Sequence, residues 1–344
     1  ASDVYKRQLL REISMTTSAT HKPLGALWPV SPLTLGGGGI AGIWGETTRQ
    51  EAVQTVQTAV EEGINLIDVA PMYGRGEAES VVGEALQGRL PEGVHVTSKI
   101  LLGTQSADET LAKVRRSIGR SLDALKLDRI DLFFLHSNII PNDYQFPGEL
   151  AEDQHRWSVT EACFYEAVVP AFETIQREGL IGAWGITGTG LPSTIMDVLK
   201  SEAKPQAVQV IANLLDSPGA IKRFPEAAQP RNIIRTATES GVGVLGIRAV
   251  QAGALTRAID RALPEDHPEV LDYHRAAPFR ALCETWNFDP ADVAHQYALA
   301  MDGVDTVILG VKNREELLNT IKAAKQPLTA EQIEAIDALG LIIS

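Results

Sequence analysis

The chain has 344 residues, 44% of them hydrophobic, which is enough for two ordinary domains or one large α/β barrel. A net charge of −13 excludes a broad basic face for nucleic acid, while leaving room for a local basic pocket. The two cysteines, Cys163 and Cys283, show neither metal-ligand spacing nor a disulfide framework, and no apolar run approaches the ~20 residues of a membrane helix.

Residues 1–22 are expected to be a leader, in part foreign to the natural chain. Residues 1–14 carry three basic residues and lack the apolar core of a secretory signal, and Met15 is a candidate start. A single domain is expected over residues 23–344.

Leu33-Thr34-Leu35 reads as a first strand ending in the glycine run 36–39, where backbone can approach a ligand. Thr48-Arg49-Gln50-Glu51 has the form of a capping box. Ala52, Val53, Val56, Ala59 and Val60 then follow helical spacing, and Gly63 ends that helix. The second strand, 64–67, follows at once. The rhythm repeats: helix 77–86 and strand 94–100, then an amphipathic helix through Leu111, Val114, Ile118, Leu122 and Leu125 and strand 130–135. Helix 160–178 precedes strand 181–187, helix 193–200 precedes 207–211, and helix 231–240 precedes 242–247. A helix over 289–300 leads to a last strand at 306–310, and two more helical patterns close the chain.

Eight short apolar strands alternating with helices predict an α/β fold, a (β/α)8 TIM barrel in one domain. Strands buried on both faces read as apolar runs without clean alternation. An open doubly wound sheet is the structural alternative, but no Gly-x-Gly-x-x-Gly follows the first strand. Two connections, 137–159 and 250–278, are longer than ordinary loops. Both leave carboxyl ends of strands, so both are expected to overhang the active face.

Asp68-Val69-Ala70-Pro71-Met72-Tyr73-Gly74 puts a carboxylate and a phenol five residues apart after the second strand. Lys99 closes the third strand and His136 follows the fourth, so three successive strands deliver titratable residues at the face where such barrels work. Taken singly, each has a structural explanation: a turn cap, a rim anchor, a surface ion pair, a core histidine. Together they make a catalytic constellation. Carbonyl reduction needs a proton donor at the developing alkoxide. A phenol near pKa 10 is too weak an acid unless a cation favours its phenolate. Lys99 is that cation, Asp68 holds Lys99, and His136 donates a hydrogen bond to the carbonyl oxygen. No zinc-like cluster and no Gly-x-Ser-x-Gly elbow competes with this reading.

In these four residues, in order and spacing, the chain resembles the aldo-keto reductases, and the resemblance runs from about residue 35 to about 338. It implies NADPH-dependent, reversible reduction of an aldehyde or ketone, with Tyr73 as general acid. A sugar or secondary-alcohol dehydrogenase is the same chemistry reversed. It also implies a cofactor site in Gly310-Val311-Lys312-Asn313-Arg314-Glu315-Glu316, with Lys312 on the 2′-phosphate, Asn313 beside it and Glu316 near the adenosine. NADP(H) is therefore expected over NAD(H). Gln209 matches the family glutamine on the nicotinamide carboxamide, with Thr187 beside it. Gly188 stands where many members have Asn. The seventh strand ends in Arg248, not in the usual aromatic, so Arg248 is expected on the nicotinamide ring or the pyrophosphate. Gly253 is expected to let backbone approach the pyrophosphate. Trp44, Tyr144 and Trp157 are the candidate substrate contacts. Two other readings stay open: an NADP-binding regulatory subunit with little turnover, and a Schiff-base aldolase using Lys99. A small-molecule substrate and a cytoplasmic setting are expected, with no metal, nucleic acid or membrane.

Overall fold

A computed structural model of the protein describes residues 21–146 and 155–342. The predicted leader lies outside the described residues except at its end, where Lys22 already belongs to a short antiparallel hairpin, Lys22–Pro23 with Pro29–Val30.

Eight parallel strands close into a barrel in chain order: β1 (Leu33–Gly36), β2 (Leu66–Asp68), β3 (His95–Ile100), β4 (Ile130–Leu135), β5 (Ile181–Thr187), β6 (Ala207–Ile211), β7 (Gly243–Ile247) and β8 (Thr306–Leu309). β8 pairs back on β1, with Leu309 opposite Leu35. The TIM-barrel expectation holds. The surrounding helices are α1 (Arg49–Glu61), α2 (Glu77–Ala85), α3 (Ala107–Leu125), α4 (Val169–Arg177), α5 (Pro192–Lys200), α6 (Pro230–Glu239), α7 (Pro268–Arg275), α8 (Ala277–Trp286), α9 (Pro290–Ala300), α10 (Arg314–Ala324) and α11 (Ala330–Asp337).

Each strand is short because it crosses a barrel wall buried on both faces. All five residues of β6 are buried, as are five of six in β4. Phe134 is fully buried and belongs to the cluster that includes Leu66, Leu132, Ala207 and Leu245. A Cβ on Gly185 would lie 2.4 Å from the Phe134 ring, so that position has room only for glycine. The hairpin closes the amino-terminal end. Its Leu24 and Val30 join Leu66, Leu132, Phe134 and Leu245 in one buried cluster, and Trp28 stacks on His95 at 4.0 Å. The opposite end is left for loops.

Three details differ from the expectation. Thr48 caps α1 by accepting from the Glu51 amide, but the Glu51 carboxylate goes to Arg314 instead of returning to Thr48. The helix predicted over 160–178 starts at Glu161–Cys163 and passes through a π-helical stretch, Phe164–Val168, before α4. Pro170 has no N–H to donate to the preceding turn, which is where such a widening is accommodated. The connection 250–278 is not structureless: it contains α7 and the start of α8, each with proline in its first turn. The other long connection is held by a parallel pair, Asn138–Ile140 with Ser158–Thr160.

Candidate active site

The carboxyl ends of β2, β3 and β4 bring the predicted tetrad together. In register, Asp68 stands opposite Thr97, and Lys99 lies two residues on, on the same face of β3. Asp68 and Lys99 are buried, and the Lys99 ammonium donates to Asp68 Oδ2 at 2.6 Å and to the Val69 carbonyl at 2.9 Å. Asp68 Oδ1 accepts from Thr97 Oγ1 and from Gln209 Nε2, both at 2.6 Å. The carboxylate is thus fixed from three sides. An ammonium has three donors; two are used here, and the Lys99 nitrogen sits 4.7 Å from the centre of the Tyr73 ring.

Tyr73 is positioned by its turn. Its amide donates to the Ala70 carbonyl, and Gly74 follows at φ +61°. A Cβ on Gly74 would lie 2.8 Å from Glu77 Cβ and 2.9 Å from Ala41 Cβ, so the turn closes against its neighbours only with glycine there. Burial raises the Tyr73 pKa, Lys99 opposes it and Asp68 adds to it; the net direction is up, so the phenol keeps its proton. For Lys99, burial pulls the pKa down, but Asp68 and then Tyr73 outweigh it and the net direction is also up. His136 meets the Tyr73 ring edge-on at 6.1 Å between centroids. Burial, and then the Lys99 charge, lower its pKa to about 3, so the imidazole is neutral. A neutral ring carries one N–H to donate.

Around the far side of the mouth, Thr187 Oγ1 donates to the Leu135 carbonyl, beside Gln209. Arg248 is largely buried, at 10% side-chain exposure, in an ion pair with Glu269. Its Nη2 donates to Glu269 Oε1 at 2.6 Å and its Nε to Gln251 Oε1 at 2.9 Å, inside the connection that α7 covers. Backbone at Arg248, Gln251, Ala252 and Gly253 is left-handed. A Cβ on Gly253 would make ordinary contact with Arg261 Nη1 at 3.8 Å and with Ile259.

After β8, Lys312 donates to Asp260 at 2.6 Å and lies 3.3 Å from Glu316 Oε1. The Asp260 hydrogen bond, offset in part by burial, pushes the Lys312 pKa up. Asn313 caps α10 by accepting from the Glu316 amide, and Arg314 is held by both Glu51 oxygens. Trp44 packs where a Cβ on Gly38 would lie 2.6 Å away and one on Gly310 3.3 Å away. The Arg261 guanidinium sits 5.7 Å from its ring. Trp44 therefore stands at the Lys312 end of the mouth. Tyr144 packs edge-on with Phe146 and Phe224 in a small apolar cluster, whereas Trp157 is 43% exposed.

Thr97, Asp260 and Glu269 were not among the sequence candidates. Thr97 was legible in principle, two residues before Lys99 on one strand. Asp260 and Glu269 were not, because their partners lie 52 and 21 residues away across loops. Among the described residues no cluster of His, Cys, Asp and Glu is arranged to hold a metal, and no helix is long and apolar enough to cross a membrane.

A closed parallel barrel with a buried Asp–Lys pair beneath a phenol and a neutral imidazole defines an oxidoreductase of the carbonyl–alcohol couple that works with a nicotinamide cofactor. The chain belongs to the aldo/keto reductase family, whose family model matches residues 32–340. It is 26% identical over 302 residues to L-galactose dehydrogenase of Arabidopsis thaliana, covering 86% of this chain and 85% of that protein. Among solved structures, it matches a holo aldo-keto reductase of Bacillus halodurans with a TM-score of 0.68 at 26% identity, over 93% and 96% of the two chains. An aldo/keto reductase of Klebsiella pneumoniae, solved with NADP and acetate, shares the fold at a TM-score of 0.65 and 20% identity, over 94% and 96%.

Proposed function

We propose that the protein reduces an aldehyde or ketone to an alcohol with NADPH, Tyr73 acting as the proton donor. The observation that carries this reading is the buried Asp68–Lys99 pair set against a phenol that keeps its proton. The bound nicotinamide supplies the hydride. As negative charge grows on the carbonyl oxygen, the Tyr73 O–H delivers a proton there and Lys99 stabilises the phenolate left behind. The neutral His136 donates a hydrogen bond to the same oxygen and orients it. Asp68 keeps Lys99 charged and in place.

The cleft fits the cofactor at its inner end. Gln209 spends its amide nitrogen on Asp68, which leaves its carbonyl oxygen to accept from a carboxamide, with Thr187 adjacent. In this reading the backbone at Gly253 approaches the pyrophosphate, and Lys312 with Asn313 and Glu316 lies at the adenosine end. Arg248 acts here through the covering loop that it ties to Glu269. On the substrate side, Ile43, Met72 and Trp157, from the loops after β1, β2 and β4, are each at least 40% exposed. An apolar rim of this kind favours a substrate with an aromatic or alkyl body. Two buried free cysteines support a reducing, cytoplasmic setting.

The reverse direction has its own support, since the plant relative is a dehydrogenase of a sugar. The test is to follow nicotinamide absorbance with NADPH and NADH against aromatic aldehydes, diketones and sugars, in both directions. Turnover that disappears in Tyr73→Phe supports the proposal. Tight cofactor binding with no turnover would replace it with a regulatory role.

A further inference from the structure

The cations at the adenosine end of the cleft are already engaged. Lys312 offers three N–H donors; one goes to Asp260 Oδ2 at 2.6 Å and a second faces Glu316 Oε1 at 3.3 Å. The other Glu316 oxygen accepts from the Lys312 amide at 2.9 Å, which holds that carboxylate beside the ammonium. Arg314 donates its Nε, Nη2 and backbone amide to Glu51. Arg261 lies 3.9 Å from the other Asp260 oxygen. Three cations thus meet three carboxylates, and their formal charges cancel. The Lys312 stem is confined as well: a Cβ on Gly45 would come within 2.9 Å of its Cδ, and Thr47 Oγ1 donates to its carbonyl.

A 2′-phosphate is a dianion that needs cations with free donors. NAD(H) lacks that group and asks nothing of Lys312. We propose that Asp260 and Glu316 set the cofactor preference of this chain: they hold the Lys312 ammonium, and the 2′-phosphate has to displace them in order to bind. Both carboxylates lower the affinity for NADP(H), and Asp260 leaves that for NAD(H) untouched, so the chain discriminates between the cofactors less than its cations alone would make it. The inference rests on reading Lys312 as the 2′-phosphate contact. Asp260 carries most of the effect, because its contact with Lys312 is the shorter one and it comes from a separate loop, 52 residues away.

The test is calorimetric titration of NADP+ and of NAD+, separately, into the wild-type protein and into Asp260→Asn, Glu316→Gln and Lys312→Met, at low salt. Asp260 is half-exposed in this pair, so the exchange is worth what a partly solvated ion pair is worth, about fivefold in a dissociation constant. The expected result is that Asp260→Asn tightens NADP+ about fivefold and changes NAD+ by less than about twofold, while Glu316→Gln raises the ratio of NADP+ to NAD+ affinity by less than Asp260→Asn does. Lys312→Met is expected to weaken NADP+ alone. If Asp260→Asn leaves NADP+ unchanged while Lys312→Met weakens it, Lys312 keeps its role and the competition proposed here is wrong. If Asp260→Asn weakens both cofactors equally, Asp260 serves loop closure and the proposal is likewise overturned. If Lys312→Met leaves NADP+ binding intact, the assignment of Lys312 itself fails and takes this inference with it.

Discussion

Lys99 works on Tyr73 against a larger opposing effect. The ammonium favours the phenolate, as the sequence led one to expect, but burial raises the phenol pKa by more, and the net result is a protonated acid. That direction suits proton donation. Tyr73→Phe is expected to lower kcat by about 10² to 10⁴ while leaving cofactor affinity unchanged, as read by steady-state kinetics beside calorimetry. The neutral His136 does not titrate in the working range, since its pKa lies at about 3. The kcat/KM for reduction should therefore stay flat from about pH 6 to about pH 9. A break near pH 6.5 that disappears in His136→Asn would show that the ring is not buried as described. The identity and order of the tetrad were readable because its members follow recognisable strands. The sign of the Tyr73 shift was not, since burial depends on what the fold packs around the ring, such as His136 from the end of β4.

Strands and most helices were legible from their apolar runs and caps, and the eightfold rhythm led directly to the barrel. Two features escaped. The amino-terminal hairpin has strands of two residues each, too short for any period to register. α7 is capped by His267, an unusual cap, and its inward residues Glu269 and Asp272 are charged, so no apolar stripe marks it. Those carboxylates make sense only with their partners. Glu269 pairs with Arg248, at side-chain exposures of 3% and 10%, and thereby fastens α7 to the end of β7. Removing one member leaves the other charge buried. Arg248→Met is expected to cost about 3 kcal/mol in urea unfolding, and the double variant with Glu269→Leu to cost less than the sum of the two single changes. Strict additivity would mean that the pair does not couple these elements.

Stability of the entire barrel should fall in mild acid. Burial lowers the pKa of His295 to about 4 and of His136 to about 3, against 6.5 when unfolded. Below 6.5 the unfolded chain takes up protons that the folded one refuses. The contribution is therefore complete above that pH and is lost as pH falls toward the folded values. Each histidine is worth about 1.4 kcal/mol per pH unit across that window. Urea midpoints measured between pH 7 and pH 5 should drop, and His295→Gln should flatten the slope. Binding of NADP+ at 100 times its dissociation constant should restore about 2.7 kcal/mol, seen as a higher melting temperature.

The two halves of the mouth also differ in when they can exist. The tetrad falls within residues 68–136, at or just beyond the ends of three consecutive strands. The adenosine end joins Thr47 to Lys312 and Glu51 to Arg314, contacts 265 and 263 residues apart that form only when β8 completes the ring beside β1. A chain emerging from the ribosome has therefore made the proposed tetrad well before the contacts of the proposed adenosine end can form. On the proposed assignment of the adenosine end, the grip on a dinucleotide waits for β8 to pair with β1.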